Sequence, residues 1–155
     1  MTFSAMIPLV ATLIALWFAV LLARQYVARR RPYQLWWALS MLSYAFAAFG
    51  EFYALAFGWN IPMYKFYYFN AVSLVAVMAA GQMYMMCPKW AAAAYAVLNT
   101  AVMLAFAVLL FGVEPNVQVL AHSDAAVGGE ALEKGSLIRS LFPPLLSAVG
   151  GLILM

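Results

Sequence analysis

Residues 35–57 read LWWALSMLSYAFAAFGEFYALAF, residues 58–62 read GWNIP, and residues 63–86 read MYKFYYFNAVSLVAVMAAGQMYMM. A helix that crosses the hydrocarbon of a bilayer needs about 20 predominantly apolar residues. Both long runs meet that length, and each carries a single charge, Glu51 in the first and Lys65 in the second. Gly58 just beyond the first run and Pro62 at the start of the second punctuate a tight turn between antiparallel helices. This hairpin of two spans decides the fold class: an all-α polytopic transmembrane helix bundle.

Working outward, Ile7–Tyr26 (IPLVATLIALWFAVLLARQY) forms a preceding span, and Arg29-Arg30-Arg31-Pro32 separates it from the hairpin. No basic residue comes before this segment and Arg24 and Arg29–Arg31 follow it, the reverse of a cleavable signal peptide. Pro32 stops helical continuation of the arginine run. Downstream, Cys87-Pro88-Lys89 closes the third span, residues 90–113 form a fourth, and residues 137–155 form a fifth that Pro143-Pro144 interrupts. The polar stretch 114–136, with His122 and the Glu130–Glu133 run, reads as a solvated outer loop. The whole chain, 1–155, is one transmembrane helical domain with five visible spans.

Of the basic residues, Arg24, Arg29, Arg30, Arg31 and Lys89 fall at one end of this layout and Lys65, Lys134 and Arg139 at the other. The bias of Lys and Arg toward cytoplasmic loops places the N-terminus outside. The arginine cluster is a topology determinant with a weak attraction for anionic lipid. The apolar end GGLILM, with no polar flank, leaves two readings: a tilted, shallow fifth segment, or further helices in a longer protein, the second being our expectation.

Composition excludes several classes of function. The 155 residues are 68% apolar and 8% charged, against about 45–50% and about 25% in soluble domains. Eight Lys/Arg and five Asp/Glu would not coat a water-soluble globule, and the net charge of +3 is not gathered on a face for nucleic acid. One cysteine and one histidine exclude an internal disulfide and a bis-His site. Met83, Met85, Met86 and Cys87 are scattered around a helix, which argues against a copper site. No nucleophile–base set, paired catalytic carboxylate or glycine phosphate loop is present, so the expectation is a non-enzymatic protein with no cofactor and no metal.

Glu51 is the most informative residue. It lies five to seven residues inside the end of its span, on the order of 8–10 Å deep. An ionisable group at such depth faces the bundle interior and has a partner. Lys65, on the other arm of the hairpin, is the expected partner, in an ion pair closing the outer end of a cavity. The alternative is that Lys65 snorkels to headgroups while Glu51 is protonated or meets water. Ser40, Ser43, Ala47, Gly50, Glu51 and Ala54 form a small and polar stripe, and Phe66, Asn70, Ser73, Val77, Ala80 and Tyr84 form a second across the hairpin. Asn99 and Thr100 add polar groups at mid-depth of the fourth span. Helix–helix packing accounts for these stripes. The sharper alternative is one outward-facing polar pocket lined by Glu51, Asn70, Ser73 and Asn99. The aromatic residues Trp59, Tyr64, Tyr67 and Tyr68 fit an interfacial belt, with Tyr67 a candidate in an aromatic cage that holds a hydrophobic or cationic ligand beside Glu51.

The order RRRPYQLWWALSMLSYAFAAFGEFYAL, turn, MYKFYYFNAVSLVAVMAAGQMYMM resembles small bacterial heptahelical membrane proteins. It is also weakly similar to the seven-helix membrane sensor region that precedes some histidine kinases, which implies that the five visible spans are part of a longer seven-helix protein. The likeness spans residues 20–87 and supplies no site motif. It implies a helical domain in a bacterial cell (plasma) membrane, in a sensory role. The expected function is a sensor or accessory subunit that packs with partner helices, its partners being membrane lipid and a membrane protein or a second copy. The alternative is a transporter of small solutes or ions using the pocket around Glu51.

Overall fold

A computed structural model describes residues 3–121, 127–133 and 135–155; His122, Asp124 and Lys134, assigned above to the outer loop, lie outside the described residues. Four long helices are joined by tight turns: α1 Phe3–Arg29, α2 Pro32–Phe57, α3 Ile61–Met86 and α4 Lys89–Gly112. A short α5 (Val117–Ala121) and a 3-10 turn (Gly129–Ala131) follow. The final helical stretch comprises α6 (Leu137–Ser140), a π-helical turn (Pro144–Ala148) and α7 (Val149–Leu154). Among the described residues, five helices are long and apolar enough to cross a membrane, the last being Leu137–Leu154.

Local chemistry explains the turns. Arg30 adopts φ +53°, the left-handed conformation common just past a helix C-terminus, and its amide donates to Tyr26 O at 2.7 Å. Arg31 is extended, as a residue before proline must be, and Pro32 opens α2. At the other end Gly58 takes φ +84°, and its amide donates to Ala54 O. The Asn60 side chain then caps α3 by accepting from the Met63 amide at 2.8 Å. The helices thus run through the charged and aromatic ends of the expected spans: α1 continues to Arg29 and α2 begins at Pro32 rather than Leu35.

The four long helices run up and down, with α3 in the middle. It packs against α2, α4, the π-helical turn and α7, while α1 packs along α2. The α1 face that meets α2 is small, with Ala5, Thr12, Ala15 and Ala19 buried, so the backbones approach closely. The same device recurs on α3 and α7. A Cβ added at Gly81 would overlap the Trp37 ring, and one at Gly150 would lie 3.1 Å from the backbone of Val75 and Ala76. The core is densest at the end carrying the 58–62 turn. There Tyr64 and Tyr68 stack at 5.8 Å between centroids, and Phe106 lies 6.0 Å from Tyr68 and 5.2 Å from Phe142.

One expectation needs correction here. Residues 127–133 expose Glu130 and Glu133 as expected but are not solvated throughout. Val127, Ala131 and Leu132 are buried with Leu120 of α5 in the core cluster. The Tyr64 hydroxyl donates to Gly128 O at 2.8 Å, and the Asn116 amide donates to Ala131 O at 2.8 Å. The segment caps the aromatic end of the bundle because three apolar residues in it need cover that α3 and α4 supply.

The outward faces are apolar. Trp17 of α1 is 63% exposed, and Val97 and Val108 of α4 are 71% and 74% exposed. A soluble monomer rarely leaves so continuous an apolar surface in water, whereas hydrocarbon accepts it. The surface therefore agrees with the composition and with five helices long and apolar enough to cross a membrane.

Candidate functional site

On α2, positions 44, 47, 48 and 51 share one helical face by their three-to-four spacing. Together with Pro8 and Ala11 of α1 and Tyr67 and Ala71 of α3, that face encloses a cavity of about 240 Å³. It lies near the end of the bundle that carries the 58–62 turn. Glu51 is half-buried, and its Oε1 accepts from the Tyr67 hydroxyl at 3.3 Å. The neighbouring glycine makes this contact accessible. A Cβ at Gly50 would lie 2.8 Å from Tyr67 Cβ, so only glycine lets α3 come close enough for Tyr67 to reach the carboxylate. Trp59 of the turn packs at 5.2 Å from the Tyr67 ring and helps to fix it.

Lys65 does not join this site, and the expected Glu51–Lys65 ion pair is not formed. The Lys65 ammonium is buried, 9% exposed, and donates to Phe111 O at 2.9 Å. Phe111 lies in the last turn of α4, where carbonyls lack an intrahelical partner and carry the negative end of the helix dipole. The reason for the mismatch is rotational. Lys65 and Tyr67 are two residues apart, hence about 200° apart around α3. Since Tyr67 faces α2 and Glu51, Lys65 must face α4.

The single polar pocket lined by Glu51, Asn70, Ser73 and Asn99 is also absent from the geometry. Each of these groups is settled separately, apart from Ser73. Asn70 donates back to Phe66 O at 2.8 Å within α3. Asn99 donates to Ala76 O at 3.2 Å and borders a separate cavity of about 70 Å³ with Leu146 and Val149. The Ser73 hydroxyl is fully buried and has no hydrogen-bond partner among the described residues. Ser40 donates to Leu74 O at 2.9 Å, tying α2 to α3. Ser40 and Asn99 thus link helices, the packing role their stripe spacing suggested, whereas Asn70 bonds within α3.

Of the six candidate residues, Glu51 and Tyr67 are therefore brought together, and Lys65, Asn70, Ser73 and Asn99 are not. Tyr44, Pro8 and Ala11 are pocket residues that the stripe analysis missed. Tyr44 was legible as i−7 from Glu51, but nothing in α1 marked Pro8 and Ala11 as a wall. Protein-family models, curated proteins and solved structures were all compared with this chain, and none matches.

Proposed function

We propose that this chain is an integral protein of a bacterial plasma membrane, N-terminus outside, acting as a non-enzymatic sensor or accessory subunit. The observation that carries the reading is the pocket at Glu51 and Tyr67, walled on one side by α1. It is a site at one end of the bundle, opposite the end that bears Arg29–Arg31 and Lys89. With those basic residues in the cytoplasm, the pocket faces outward. Its α1 wall gives occupancy a mechanical consequence, because α1 otherwise packs along α2. Filling the cavity would press Pro8 and Ala11 away from α3, and a tilt of α1 would reach the arginines at its far end. The apolar outer faces of α1 and α4 offer partner helices, or a second copy, a surface on which that tilt is felt.

Spin labels at Trp17→Cys on α1 and Val97→Cys on α4, in a Cys87→Ser background, test the coupling. Ala11→Trp, which fills the pocket, is expected to shift the interlabel distance by about 1–2 Å, the scale of helix shifts in switching proteins. An unchanged distance in a folded Ala11→Trp protein contradicts the sensor mechanism.

A transporter is the second reading, favoured by the π-helical turn Pro144–Ala148, a break in the last span that packs against α3. Solute or proton flux in liposomes, abolished by Glu51→Gln, would select it over the sensor.

A further inference from the structure

We infer that the Glu51 pocket takes a small organic ammonium, a primary amine on a short alkyl body; this rests on the proposed role of the pocket as a ligand site. The first argument is charge. An intramembrane carboxylate calls for a cation. The nearest basic residue in sequence, Lys65, is committed to Phe111 O, and Arg139 donates to Leu132 O. Arg24, Arg29–Arg31 and Lys89 sit at the opposite end of the bundle. Among the described residues, the hydrogen bond from Tyr67 is the one polar contact that Glu51 makes, and a carboxylate can accept about four.

The second argument is what the pocket lacks. A hard cation such as calcium takes about six to eight oxygen ligands. Here one carboxylate, the Tyr67 hydroxyl on it and the Tyr44 side chain stand among alanine, proline and aliphatic walls. No group of three His, Cys, Asp or Glu that could hold a metal occurs among the described residues. A bare or hydrated metal ion would lose its shell without replacement. An alkylammonium needs only one counter-ion, and its donors and apolar body find the rest. The N–H groups meet Glu51, the cationic head gains from the Tyr44 and Tyr67 rings at the border, and the alkyl part covers Ala11 and Ala47. A volume of about 240 Å³ limits that body to a short chain, below the pockets that hold drug-sized molecules.

The test is calorimetric titration of the protein in phosphatidylcholine nanodiscs with n-butylammonium, n-butanol and sodium chloride. Saturable binding of n-butylammonium alone is expected, weakened about thirtyfold or more by Glu51→Gln, since a desolvated charge pair loses a partner. Thermal unfolding without ligand checks that Glu51→Gln is folded, and Tyr44→Leu, which removes a ring and leaves the carboxylate, should weaken binding by a smaller factor. Equal binding of n-butanol, tighter binding of sodium, or unchanged affinity in Glu51→Gln overturns the ammonium assignment. If n-butanol binds and Ala48→Trp abolishes it, the pocket remains a ligand site and the ligand class alone is wrong. If no probe binds saturably, the assignment fails, and the Ala11→Trp distance experiment then decides whether the pocket has any sensory role.

Discussion

Glu51 and Lys65 are charges of opposite sign near the same end of one helical hairpin, and the fold treats them differently. Lys65 is sealed between α3 and α4, with its ammonium on the terminal carbonyl of Phe111. Glu51 is half-buried beside a cavity, held by one hydrogen bond from Tyr67. The lysine completes a helix end that would otherwise expose carbonyls to hydrocarbon, a structural role. The carboxylate closes no helix end, and beyond its bond from Tyr67 it borders a cleft shared by α1, α2 and α3. On the proposed function, the difference separates a charge kept for stability from one kept for binding.

Substitutions can break that distinction. The largest loss of stability is expected for Lys65→Glu, which sets a carboxylate against the negative end of α4. SDS unfolding in mixed micelles should show about 3 kcal/mol or more, with Lys65→Met costing about 1.5–3 kcal/mol for the lost charged hydrogen bond. Gly50→Val comes next, at about 1–3 kcal/mol, because its Cβ meets Tyr67 and pushes α3 from α2. Glu51→Gln should stay within about 1 kcal/mol of the parent, since the amide can still accept from Tyr67. If it costs as much as Lys65→Met, Glu51 is a structural charge and the contrast is lost. Asn99→Leu should have the smallest effect, about 0.6 kcal/mol, the usual worth of a hydrogen bond between membrane helices.

The spans and turns were readable because their signals are local. Run length set the helices, while Arg31-Pro32, Gly58 and Asn60 set the breaks by their own backbone preferences. Rotation about each helix axis was not readable. The polar residues of α3 are spread around it with no dominant polar face, so nothing in the pattern reveals that Tyr67 turns to α2 and Lys65 to α4. Pairing by depth alone therefore joined Glu51 to the wrong residue. The cover formed by residues 127–133 escaped for a related reason. Ala131 and Leu132 stand between Glu130 and Glu133, and the charges hide two buried side chains. Pro143-Pro144 marked a break in the last helix, but its π-helical form depends on packing against α3.

The most direct test of the central contrast is thiol accessibility in right-side-out vesicles, using Glu51→Cys and Lys65→Cys in a Cys87→Ser background. A membrane-impermeant thiosulfonate added outside should modify the cysteine at 51 quickly and leave the cysteine at 65 largely unreacted. Equal rates at the two positions, or reaction at 51 from the inside alone, would contradict an outward pocket at Glu51 beside a sealed Lys65.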